Sequence, residues 1–291
     1  FTLDNTGFEA GKFEGCYFQN SNYHFFTDTV GGYILNLTFI SCCFARAAIC
    51  SRLITGQTPG YMELNCYTAH CLSGLQLTQP GPSLLIKKSV FEYIYDYAID
   101  IEAYGYADYF GISLEQVFFE TCGGAGVVDI PGLTLPEKTQ ATPSVRLTQS
   151  QGVATGARFT EKDCFFTYTS ANKPTSYVYV DPLARWSVIS EGSVYAYQPT
   201  GGMYSGAELT AVDAFDGTEN TVRVTKNMVN PNTDTSAENL LVPETLSIGK
   251  QGNNGALNIT KSDAAMLWLT NDLGSSAYVS LIAGGQNARF G

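Results

Sequence analysis

Six short segments in which a small or β-branched residue leads into an aromatic-rich pair constrain this chain more than any other feature. They are Cys16-Tyr17-Phe18, Cys42-Cys43-Phe44, Cys66-Tyr67-Thr68, Val90-Phe91-Glu92, Val117-Phe118-Phe119 and Cys164-Phe165-Phe166. They return about every 24 residues, a period typical of coiled repeat architectures. The step from Val117 to Cys164 is close to two periods, which predicts a coil whose marker is lost. An apolar residue opens a short strand before each marker: Phe13, Phe39, Met62, Ile86, Leu114 and Phe159. About ten residues after most markers a second apolar strand is predicted, in Phe25-Phe26, Leu75-Gln76-Leu77, Ile99-Asp100-Ile101, Val128-Asp129-Ile130 and Val178-Tyr179-Val180. Gly and Pro punctuate the intervals, as at Gly31-Gly32, Pro59-Gly60 and Gly123-Gly124.

One such coil cannot bury its own apolar face, but a stack of them makes parallel sheets whose inward residues line up in columns. The expected columns are Cys16, Cys42, Cys66, Val90, Val117 and Cys164, beside one made mostly of aromatics. This accounts for most of the eight cysteines as buried, reduced packing groups. Composition agrees with an all-β chain: 13% aromatic, only 15% charged and 29 Gly in 291 residues. A formal net charge of −11 with 16 Lys and Arg argues against a nucleic-acid partner. The chain shows no signal-peptide core and no run of apolar residues long enough to insert in a membrane, and it reads as part of something longer. Phosphate-loop, dinucleotide and Gly-x-Ser-x-Gly motifs are absent, as is zinc-type Cys spacing, so neither cofactor nor metal is expected. His24 and His70 read as structural or surface residues in coil turns.

Residues 1–182 read as the solenoid. Within it 131–156, with Pro131, Pro136 and Pro143, breaks the rhythm and is expected to be a coil bearing a lateral loop. Residues 183–239 read as a β-rich region continuing or capping the stack, which needs a cap because its terminal coil exposes unpaired strand edges. A polar linker at 230–236 leads to a small β domain, 240–291, suited to trimerisation or glycan binding.

Coils of this length with Gly-rich turns and internal Cys and aromatic stacks, followed by a separate β region, resemble the right-handed parallel β-helix of bacteriophage tailspikes and pectin-lyase-like enzymes. The resemblance is architectural and covers roughly residues 8 to 182. It implies a homotrimeric receptor-binding protein of a virion tail, assembled in host cytoplasm, that binds and hydrolyses a bacterial O-antigen or capsule. Two alternatives stay open: a receptor-binding fibre or adhesin that holds its ligand without cutting it, and a cellular pectinase-like polysaccharide lyase.

In the second strand of each coil the apolar residues point inward and the one between them points out. The expected outward column is Gln76, Asp100, Asp129, with Glu102 continuing the same face. Neighbouring coils would bring Asp100 and Asp129 to about 5 Å and Glu102 and Asp129 to roughly 8 Å, separations used by retaining and inverting glycosidases. Asp100, Asp129 and Glu102 are therefore the catalytic candidates. Tyr93, Tyr95, Tyr104 and Tyr106 would stack on sugar faces. Glu92 and Glu120, each shortly after a marker, form a second candidate pair, and Arg146 is a candidate to complete a site on a neighbouring subunit.

Overall fold

The computed structural model describes residues 2–4, 10–28, 34–56, 58–78, 80–104, 110–124, 126–136, 138–151, 157–168, 174, 176–181 and 186–196, together with strands at 204–205, 221–225, 228–229, 279–283 and 286–290. The chain forms a parallel β-solenoid with coils about 27 residues apart. Each full coil contributes a strand to each of three faces. The first face stacks Gly11–Glu14, Leu37–Ile40, Thr58–Leu64, Pro80–Lys87, Phe110–Glu115, Ala157–Lys162, Trp186–Glu191 and Thr221–Thr225. The second stacks the leading halves of Tyr17–Asp28 and Cys43–Ile54 and then Tyr67–Ala69, Val90–Glu92, Phe118–Glu120, Phe165–Thr167, Val194–Tyr195 and Met228–Val229. The third stacks the trailing halves of those two long strands with Ser73–Thr78, Ile99–Tyr104, Val145–Gln151, Val178–Val180 and Tyr204–Ser205. The chain divides into two compact units, 1–246 and 247–291. In the second, Val279–Ala283 and Gln286–Phe290 pair antiparallel.

The corner between the first and second faces is built the same way in each coil. One residue there takes a left-handed backbone: Gly15 (φ 62°), Ser41 (50°), Asn65 (54°), Lys88 (51°), Gln116 (55°), Asp163 (50°) and Gly192 (66°). This conformation is costly for most L-residues, yet the six from Gly15 to Asp163 still donate their N–H to the adjacent coil, as Asn65 does to the Lys87 carbonyl at 2.9 Å. The marker residue follows directly. The register corrects one member of the expected column, because Ser89, not Val90, stands beside Cys66 and Val117; Val90 pairs with Tyr67 and Phe118 on the outer side. Ser89 also explains what the column does. Its hydroxyl accepts the Cys66 N–H at 3.1 Å, as the Cys66 sulfur accepts the Cys42 N–H at 3.4 Å and the Ser193 hydroxyl the Cys164 N–H at 3.2 Å. The side chain of one coil thus satisfies a corner donor of the coil before it. All eight cysteines are unpaired, six of them buried, and burial pushes the Cys50 and Cys66 thiols up to about 12.

Next to this column runs an internal aromatic stack. Phe18 lies on Phe44 (5.1 Å between centroids), Phe91 on Phe119 (5.5 Å), Phe119 on Phe166 (4.6 Å) and Phe166 on Tyr195 (5.1 Å). At the one coil between Phe44 and Phe91 the column holds Thr68, and the vacancy is filled by Arg52 from the third face. Its guanidinium carbon sits 4.2 Å from the Phe44 ring centre and 5.6 Å from that of Phe91. Arg52 donates to Thr68 Oγ1 at 2.8 Å and lies 3.4 Å from the Glu63 carboxylate, both ionic partners being fully buried. Tyr61 donates to the other side of the pair, Oε2 of Glu63, at 2.9 Å. Glu63 corrects the reading of the first face: the inward column is Phe13, Phe39, Glu63, Ile86, Leu114 and Glu161, whereas Met62 points out and Phe159 belongs to the neighbouring inward column.

The long step from Val117 to Cys164 is a single coil. Phe118–Glu120 pairs directly with Phe165–Thr167, and Ile99–Tyr104 with Val145–Gln151. The extra length is an insertion at 121–144, at the corner between the second and third faces. It leaves and returns at one point, where Thr142 N–H donates to the Gly123 carbonyl at 2.9 Å. Only glycine fits at 123, because φ is +83° and a Cβ there would lie 2.0 Å from the Thr142 oxygen. Val128-Asp129-Ile130, expected as a coil strand, lies in this insertion and leads into a turn closed by an Ile130–Leu133 bridge.

Candidate functional site

Register on the third face decides the fate of the expected catalytic pair. Asp100 pairs with Gln76 on one side and with Arg146, not Asp129, on the other. Ile99 and Ile101 are fully buried, so Asp100 does project from the sheet, but it is only 7% exposed. Arg146 explains this: Nε and Nη2 grip the two carboxylate oxygens at 2.8 and 2.5 Å, and its guanidinium lies 4.3 Å over the Tyr97 ring. A fork-to-fork pair of this kind is among the strongest charge-assisted hydrogen bonds, and it leaves Asp100 committed. Gln76 Nε2 adds a long contact to Asp100 at 3.5 Å. Glu102 is half-buried further along the strand and pairs with Thr78 and Thr148. The Asp100–Asp129 and Glu102–Asp129 pairs therefore do not form, because the insertion carries Asp129 out of the stack.

Asp129 sits instead on the corner between the second and third faces. Its carboxylate pairs with Arg46 at 2.8 Å, and its N–H donates to His70 Nδ1 at 3.1 Å. Arg46 and His70 are two of the second corner's left-handed residues, with Asn20, Tyr93 and Thr121 (φ 51–63°). This shared backbone aims successive side chains outward in a row, which is why the His70 and Tyr93 rings stack at 5.0 Å and 4°. The insertion is strapped down further along by Lys138, which donates to the Tyr95 carbonyl at 2.8 Å and to Asp96 Oδ1 at 3.0 Å while covering the Tyr95 ring.

Glu92 and Glu120 immediately precede this corner on the second face and pair with each other across adjacent coils. Strand spacing puts their backbones about 4.8 Å apart. The Tyr67 hydroxyl donates to Glu92 Oε2, making a triad of residues from three successive coils. Burial and the adjacent Glu92 charge raise the Glu120 carboxyl above its ordinary value, and burial together with the Glu92 contact raises the Tyr67 phenol. Two carboxylates that share a site favour retention of a proton on one of them. Beside the carboxylates runs an outward column of Tyr17, Cys43, Tyr67, Val90, Phe118 and Phe165. Tyr17 is 63%, Tyr67 38% and Phe165 37% exposed, and the Phe118 and Phe165 rings stack at 5.3 Å.

The structure thus brings together the second expected carboxylate pair and one expected tyrosine, Tyr93. Tyr95 lies under Lys138 in the insertion's anchor; Tyr106 and the side chain of Tyr104 lie outside the described residues. Tyr67, His70 and Arg46 are neighbours that sequence reasoning missed. For Tyr67 the signal was present, since every second-face strand opens with an outward residue directly after its marker. A separate open groove of about 520 Å³ runs along the first face over Thr38, Met62, Leu85, Ser113 and Thr160, with Gly60 and Gly111 deepening it. Among the described residues no cluster of His, Cys, Asp and Glu is arranged to hold a metal ion, and no helix is long and apolar enough to cross a membrane. Comparison of the chain with protein-family models, with curated proteins and with solved structures finds no match in any of the three.

Proposed function

We propose that this chain binds and hydrolyses a neutral bacterial surface polysaccharide, O-antigen or capsule, along its second face. Glu92 and Glu120 act as the carboxylate pair. The observation that supports this most is their direct register on adjacent coils, with the Tyr67 hydroxyl on one and a raised proton affinity on the other. A backbone spacing of about 4.8 Å allows their carboxyl groups the roughly 5 Å separation that retaining glycosidases use. In that chemistry Glu120 donates its proton to the departing glycosidic oxygen while a Glu92 oxygen attacks the anomeric carbon. Water, deprotonated by Glu120, then releases the sugar from Glu92 and restores both groups. The outward rings of Tyr67 and Phe118 flank the pair, and aromatic faces suit the C–H faces of pyranoses.

In this reading the protein belongs to a phage tailspike: a homotrimer on a virion tail that meets the polysaccharide at the bacterial surface. The test is incubation with purified polysaccharides from phage-sensitive bacteria, measuring new reducing ends. Glu92→Gln and Glu120→Gln should each lower turnover by about a hundredfold or more with binding retained. Tight binding without new reducing ends in the wild type supports the receptor-fibre reading instead, and wild-type turnover in both variants removes these residues from the chemistry.

A further inference from the structure

We infer that residues 126–133 form a strap over the second corner whose closure is set by the protonation of His70. The Asp129 N–H donates to His70 Nδ1, so the ring must carry its proton on Nε2 when the strap is down. A doubly protonated imidazole has no acceptor to offer, and the strap then loses this anchor. The ring has little freedom to compensate. It stacks in parallel on Tyr93 at 5.0 Å, and its backbone is fixed at φ 53° by the corner. Gly126 presses on the same place, with a Cβ position 2.7 Å from the Thr121 methyl and 3.4 Å from the Tyr93 ring. The charged groups facing His70 are the Asp129 carboxylate on the strap, Glu92 on the second face and Arg46 on the corner. The two carboxylates favour the protonated ring, whereas burial and Arg46 disfavour it, and burial, the largest effect, holds His70 below its ordinary value. The closed strap therefore binds fewer protons than the open one. It is most stable above the ordinary histidine range and weakens as pH falls through it.

Hydrogen exchange of the whole chain, without ligand and corrected for intrinsic rates, tests this at about pH 7.5 and about pH 5. Protection of the amides in 126–133 should fall at least about tenfold at the lower pH, while the amides of Ile99–Tyr104 hold theirs. His70→Asn keeps an acceptor and a side chain that tolerates the left-handed backbone, but it does not titrate, so its strap should show no such fall. The chain has only one other histidine, His24, which is buried and held down to about 4, and the raised Glu120 carboxyl is common to both proteins, so the difference between wild type and His70→Asn reads His70. Equal wild-type protection at both pH values overturns the proposal whatever the variant does, as does an equal loss in His70→Asn. The proposal does not depend on the glycan reading above, so either can fail alone.

Discussion

Glu92 and Asp100 lie on the same coil, both project from it, and both meet one residue per neighbouring coil, yet they end in opposite states. The next coil offers Asp100 an arginine, which takes both of its oxygens. It offers Glu92 another glutamate. In a solenoid a side chain's partner is set by register a full coil away, so local sequence around a carboxylate says little about whether it is neutralised. Asp100 is spent on structure, whereas Glu92 and Glu120 keep an unfavourable proximity. A like-charge pair that no cation among the described residues neutralises marks a place where function, and not stability, has a claim.

The fully enclosed Arg52–Glu63 pair extends the comparison to zero exposure and carries the largest expected effect. Arg52→Met should cost about 3–5 kcal/mol in denaturant unfolding by stranding Glu63, while the Arg52→Met/Glu63→Met double variant should regain most of it. A single variant that costs under about 1 kcal/mol would mean the pair is no more than a surface ion pair in effect. Asp100→Ala should cost about 2 kcal/mol, less because Arg146 can turn to water; equality with Arg52→Met would erase the distinction between the two sites. Glu120→Gln should move the other way, stabilising by a few tenths of a kcal/mol near neutral pH. The sign follows from the raised Glu120 carboxyl. The folded state holds that proton more tightly than the unfolded chain, so wild-type stability falls as pH rises beyond the ordinary glutamate range, and the glutamine variant escapes the fall. A destabilised Glu120→Gln at neutral pH would show that the glutamate pair is structural, as Asp100 and Arg146 are.

The solenoid was legible because its signal repeats: Cys16, Cys42 and Cys66 with their aromatics are copies, and copies at one period leave few other folds. Register within the repeat was less legible. Val90-Phe91 mimics Val117-Phe118, but the true equivalent of Val117 is Ser89, a polar residue that earns its buried place by accepting a backbone N–H. That one-residue offset has no cost in a pattern search and turns a side chain from inside to outside in the fold. The catalytic pair first expected failed for a related reason. Val128-Asp129-Ile130 imitates Ile99-Asp100-Ile101, and nothing within the triplet shows that it sits in an insertion closed at Gly123 and Thr142. The pair at Glu92 and Glu120 was legible as a pair, since both follow a marker. Its setting was not, because Tyr67, His70 and Arg46 reach it from other coils.

The arginine in the aromatic stack bears on how the chain finds its register while folding. Coils built on one template are nearly interchangeable, so a stack of them can pair one step out of place and still bury its rings, and such near-degenerate states slow folding and invite misassembly. Arg52 removes that degeneracy. It fits only where the stack lacks a ring, at Thr68, and where the next first-face strand brings Glu63 inward. In a stack slipped by one coil the guanidinium would meet a phenylalanine and no carboxylate. A charge pair that two apolar side chains could replace with little loss of stability thus raises the energy of the native state's closest competitors, and the chain counts its own coils by it.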